Sequence, residues 1–175
     1  LEFRRVLFRS YTRIGNVDYF EQQQGNQDLA NAVKSGNVNK VADSLLKSLN
    51  PAIQLVAKKM GSLGYNVRLG FPAHLNKKYQ RAAGLHSASE KMVWVRRKAA
   101  GSELVVAHEF THALTVNAIN NPTAEQKPTI DKLQKLYDHV KNQLDPTGKK
   151  LYGLRNLKEF VAEANSNVSF QIGRA

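Results

Sequence analysis

The stretch Ser102-Glu103-Leu104-Val105-Val106-Ala107-His108-Glu109-Phe110-Thr111-His112-Ala113-Leu114 decides the reading of this chain. Ser102 is a good helix cap, and the apolar run after it predicts a helix from Glu103 to about Ala118, ended by Asn120, Asn121 and Pro122. Inside that helix His108 to His112 has the form His-Glu-x-x-His. A four-residue step sets the two imidazoles on one face, a single turn apart, where both reach one ion. Glu109 points beside the ion, and its carboxylate can take a proton from water that zinc has brought to a pKa of about 7. A five-residue pattern alone is weak, and the plain alternative is a core helix whose histidines make ordinary hydrogen bonds. The surroundings favour the metal: Val105, Val106, Ala107, Phe110, Ala113 and Leu114 make the helix a buried one, and no Pro interrupts it.

A catalytic zinc takes three protein ligands and leaves one position open, so a third donor is needed. With no cysteine in the chain, it must be His, Asp or Glu. The best source is Asn156-Leu157-Lys158-Glu159-Phe160-Val161-Ala162-Glu163, where two carboxylates stand one helical turn apart. One can bind the ion while the other orients a ligand imidazole. The competing explanation makes Glu159 the partner of an Asn156 helix cap and Glu163 a solvated charge. His74, His86 and His139 have no partner at ligand spacing and read as surface or structural histidines.

With both segments in place the chain resembles the gluzincin metallopeptidases, in which a His-Glu-x-x-His helix is followed by a helix carrying a Glu ligand. Two branches are similar. One is the anthrax lethal factor catalytic-domain family, with a Tyr ahead of a Glu-Phe-x-Ala-Glu helix. The other is the metallopeptidase domain of the large polyvalent proteins of phages and mobile elements, which Tyr152-Gly153-Leu154-Arg155-Asn156 leading into Glu159-Phe160-Val161-Ala162-Glu163 looks like. The resemblance spans roughly Val67 to Phe170. It implies one zinc ion held by His108, His112 and Glu159, Glu163 as the outer partner of a ligand, and Tyr152 as a donor to the oxyanion. For Tyr152 the plain alternative is a phenol packed at a turn.

Outward from these segments, Leu29, Ala30 and Val33 suggest a short helix, and Val41, Leu45, Leu46 and Leu49 continue the helical spacing. Asn50-Pro51 starts another helix, stopped near Gly61 and Gly64. Val67 and Leu69 alternate as in a strand, and Ala83 to His86 is expected to pair with Met92 to Arg96 through a turn at Ser87 to Glu90. Met92 to Arg96, the last strand before the metal helix, is the expected edge for an extended substrate. Thr123 to Gln126 has the form of a capping box ahead of a helix with Leu133, Leu136, Tyr137, Val140 and Leu144 on one face, and Asp145 to Gly148 is a turn. Tyr11 to Asn26 has no period, and Leu1 to Ser10 reads like translated linker or sequencing artefact.

At 175 residues the expectation is an α+β, zincin-like fold with a small mixed sheet, an active-site helix and a C-terminal helix bearing the third ligand. Its parts are a linker or sequencing artefact (1–10), a helical lead-in (11–64) and the metallopeptidase domain (65–175). The activity expected is zinc-dependent hydrolysis of a protein or peptide substrate. No stretch reads as a membrane span or signal peptide, so no membrane partner is expected and the cytoplasm is slightly favoured. The balance of 26 Lys plus Arg against 14 Asp plus Glu leaves +12, which opens a nucleic-acid partner. A non-enzymatic nucleic-acid-binding or protein-interaction accessory domain of a mobile-element protein is therefore the alternative. Lys77, Lys78, Arg81, Lys91, Arg96, Arg97 and Lys98 form a basic middle, most simply a solvated face.

Overall fold

Asparagine side chains start four of the described helices. Asn26, Asn37, Asn50 and Asn156 each accept backbone N–H groups at the head of a helix, satisfying donors that have no intrahelical partner. The computed structural model describes residues 3–7, 26–80, 82–144 and 152–171, with backbone alone for 3–7 and 144. The expected turn at Asp145 to Gly148 and the irregular 11–25 lie outside the described residues.

The caps open α1 (Gln27–Ser35), α2 (Val38–Leu45), α3 (Pro51–Met60) and, late in the chain, α7 (Leu157–Ser166). Gly36 closes α1 at φ 72°, a left-handed cap that a side chain would strain. The helical spacing expected to run on to Leu49 stops at Leu45. Ser48 Oγ accepts the Asn50 N–H at 3.1 Å where the chain turns into α3, and Leu49 is left fully exposed.

Three short strands follow: β2 (Asn66–Leu69), then β3 (Ala82–Ser87) and β4 (Met92–Val95), with α4 (Ala73–Lys78) between β2 and β3. β3 and β4 form the expected antiparallel hairpin, whereas β2 pairs parallel to β4 through Val67↔Val93 and Leu69↔Val95, so the sheet is mixed. The backbone of Phe3–Leu7 (β1) lies antiparallel along the other side of β3, giving the order β1-β3-β4-β2. Met92 to Arg96 is therefore not an edge: β4 has a neighbour on each side, and β3 is the strand next to the metal helix.

Beyond the sheet come α5 (Glu103–Asn120), α6 (Lys127–Leu144) and, after α7, α8 (Val168–Gln171). Ser102 caps α5 as expected, and Thr123 and Gln126 exchange the two bonds of a capping box at 3.1 and 3.2 Å before α6. α1, α2 and α3 bury Leu29, Val33, Leu45, Val56 and Met60 in one cluster with Val93 and Val95 of β4 and Val105, Val106 and Phe110 of α5. A second cluster gathers Leu75, Leu85 and Trp94 on the other face of the sheet, and a third joins Tyr137 of α6 to Phe160 and Val161 of α7. The architecture is α+β. Among the described residues no helix is long and apolar enough to cross a membrane.

Candidate metal centre

α5 is apolar on every side over its first half, so it lies inside the molecule rather than on it, and His108, Glu109 and His112 are fully buried. α7 packs against it, started by Asn156, whose side chain accepts the N–H groups of Lys158 and Glu159. That placement resolves the two alternatives for Glu159. Its backbone is capped by Asn156, and its carboxylate is free to turn toward α5. Capping and convergence on the histidines coexist.

Three donor atoms meet between the helices. His108 Nε2 lies 3.1 Å from His112 Nε2 and 3.2 Å from Glu159 Oε2, and the third side of the triangle, His112 Nε2 to Glu159 Oε2, is 3.3 Å. The group is buried and can hold a metal ion. Tetrahedral bonds of about 2.0–2.1 Å have ligand-to-ligand edges of about 3.3–3.4 Å, so the triangle has the size such an ion requires.

Glu163, one turn after Glu159, faces the other nitrogen of His108: Nδ1 is 3.2 Å from Glu163 Oε1, within ion-pair distance though not aligned as a hydrogen bond. Asn167 donates to the second Glu163 oxygen at 2.7 Å and so fixes the carboxylate that orients the ring. Comparison of the chain with protein-family models, with curated proteins and with solved structures gives no match.

Glu109 stands next to the triangle without joining it. Both its oxygens are buried and make no hydrogen bond, and burial pushes its carboxyl up to about 8, with the His108 charge pulling the other way. Burial alone would lower the His108 imidazole, but the carboxylates of Glu159 and Glu163 more than offset it and hold it up at about 10. For Glu159, burial is outweighed by hydrogen bonds from His108 and His112, which hold it well below the usual carboxylate range.

Tyr152 is buried at the short turn before α7, its ring centroid 6.0 Å from that of His108, with the Arg155 guanidinium 4.9 Å over its face. Burial first, then the Glu159, Glu109 and Glu163 charges and a hydrogen bond to Glu159, raise its phenol far above the ordinary value. The structure thus brings His108, Glu109, His112, Tyr152, Glu159 and Glu163 together, and leaves His74 and His139 on the surface.

Gly84 is the residue that sequence reasoning missed beside the site, and His86, expected as a surface or structural histidine, is a buried structural one. His86 is buried on β3, takes part in a 3.1 Å hydrogen bond with Tyr65 through Nε2, and stacks toward His112 with centroids 6.3 Å apart. Gly84, two residues earlier and so on the same strand face, sits where a Cβ would lie 2.7 Å from Glu109 Oε1. Only a glycine lets β3 approach the carboxylate this closely. The signal was the alternation Gly84-x-His86, which has strand rather than helical period.

Proposed function

We propose that this protein is a zinc-dependent metalloendopeptidase of the gluzincin type. The observation that carries the reading is the closed triangle of His108 Nε2, His112 Nε2 and Glu159 Oε2, with sides of 3.1 to 3.3 Å, beside a buried carboxylate that has no other partner. Two nitrogens and one carboxylate oxygen form the donor set of a catalytic zinc. When bound, zinc supplies a Lewis acid for the peptide carbonyl and lowers the pKa of a coordinated water to about 7.

The chain's own groups do the rest. Glu109 takes the proton of the attacking water and passes it to the leaving amine; burial raises its carboxyl, and the positive charge of a bound ion would draw it back toward the carboxylate that the first step needs. Tyr152 keeps its proton through the whole working range and donates to the oxyanion as the carbonyl becomes tetrahedral. Glu163 keeps the His108 ring turned to the triangle. β3 lies along the site, since Gly84 lies against Glu109; its far side is paired antiparallel with Phe3–Leu7, so a substrate peptide would add to β3 only by taking the place of that strand.

The test combines metal analysis with a peptide-library screen. Reconstituted protein is expected to hold about one zinc, Glu159→Gln to lose it, and Glu163→Gln to bind it roughly 10- to 100-fold more weakly. Glu109→Gln should keep the zinc and lose peptide hydrolysis by roughly 10²- to 10⁴-fold. Equal cleavage by the wild type and Glu109→Gln would remove the enzyme reading.

A further inference from the structure

We propose that the cleft at the carboxyl ends of β2 and β4 binds the phosphodiester backbone of a nucleic acid. These two strands run parallel and end together, Leu69 beside Val95; the chain goes on from β2 into α4 and from β4 into a short helical turn at Arg97–Ala99. The gap between the departing loops is a cleft of about 630 Å³ lined by Arg68, Phe71, Asn76, Arg96, Arg97 and Lys98 among others, with no carboxylate and no residue of the metal centre.

Arg96 is built into the wall. Its guanidinium donates to Ala82 O at 2.6 Å, Asn76 Oδ1 at 2.7 Å and Tyr79 O at 2.9 Å, and it lies 4.4 Å over the Phe71 ring. All of these partners are neutral, so its position is fixed while its charge stays uncompensated. Arg68, Arg97 and Lys98 are exposed around it, and none of them forms an ion pair among the described residues. Four like charges held together without an acid repel one another, an arrangement that an anionic ligand relieves.

The anion fits a polymer better than a single small phosphate. α4 contributes Asn76 to the cleft and continues directly into exposed Lys77 and Lys78, which extends the positive surface beyond the opening. The whole chain, at +12, is biased in the same direction. This proposal does not depend on the peptidase reading.

It is tested on the full chain by fluorescence anisotropy with a labelled oligonucleotide, single-stranded and duplex, over a range of salt. Arg97→Glu/Lys98→Glu should reduce the slope of log affinity against log salt by about 2 for the duplex, and by about 1.4 for the single strand. The equally charged change Lys132→Glu/Lys135→Glu, on the exposed face of α6, should alter it far less. Zinc content is expected to be unchanged in both, and Glu109→Gln should bind the oligonucleotide as the wild type does. The proposal is overturned if the α6 variant weakens binding as much as the cleft variant does. It is also overturned if polyglutamate of equal charge competes as well as the oligonucleotide, or if inorganic phosphate binds as tightly.

Discussion

At Glu109 the proposed role as base and the stability of the fold pull in opposite directions. The carboxyl is fully buried without a hydrogen bond, and that burial raises it from 4.5 to about 8. The folded state therefore holds this proton more tightly than the unfolded chain does. The group's contribution to folding is fully present below about pH 4.5 and is lost as pH rises to about 8. In chelated protein, Glu109→Gln is expected to be more stable than the wild type. The gain should be small near pH 4.5 and grow with pH by about 1.4 kcal/mol per pH unit at most, reaching a few kcal/mol by pH 8. Denaturant melts of the pair at the two pH values read the Glu109 carboxyl together with its coupling to His108; a gain independent of pH would mean that the carboxyl is not titrating inside the fold. Tyr152 poses a different test, because its ring packs while its hydroxyl acts. Tyr152→Phe should keep zinc content and KM and lower kcat by roughly 10²-fold, the loss of one oxyanion donor; an unchanged kcat would assign the phenol to packing.

β3 and α5 meet where a strand's period of two crosses a helix's period of 3.6, and Gly84 lies at the crossing. Gly84→Ala would put a methyl 2.6 Å from Glu109 Cγ and 2.7 Å from its Oε1, so the side chain must move. The variant is expected to bind zinc as before, because the triangle draws on α5 and α7 alone, and to lose turnover by an order of magnitude or more. Retained turnover would show that β3 can recede. Most elements were legible in the sequence because their signals are local. Ser102 and Asn156 cap where expected, Thr123 and Gln126 form their box, and the β3–β4 hairpin is joined by a short turn. The order of the strands was not legible. β2 joins β4 in parallel across a connection that contains α4 and all of β3, and no local pattern announces such a pairing. For that reason Met92 to Arg96 looked like the edge beside α5, while in the structure β3 is the strand against α5 and both β3 and β4 have a neighbour on each side.

Across the whole molecule, the convergence of the metal centre was readable in outline because His-Glu-x-x-His and the Glu159–Glu163 pair each carry their own spacing. What α1 to α3 pack against was not, since an apolar stripe on a helix specifies that it is buried and not by what. In the structure their side chains share a cluster with Val93 and Val95 of β4 and with Val105, Val106 and Phe110 of α5 itself. The helices α1 to α3 and the elements that carry the His108, His112 and Glu159 group should therefore fold as one unit, and a chain beginning at Tyr65 tests this. It would lose the pairing of Phe3–Leu7 with β3, and from the core Leu29, Val33, Val41, Leu45, Ile53, Val56 and Met60. At about 1.5–3 kcal/mol for each buried side chain, the loss reaches at least the 5–15 kcal/mol by which a typical domain is stable. The shortened chain is expected to show no cooperative melt and no stoichiometric zinc binding, since His108 and His112 would lie on a helix with its inner face uncovered. Adding the fragment 26–64 in trans should restore both, because the contacts it supplies are packing contacts rather than covalent ones. A shortened chain that melts cooperatively and holds zinc on its own would instead make α1 to α3 an appendage, and the support of the metal helix would then rest on the sheet and α7 alone.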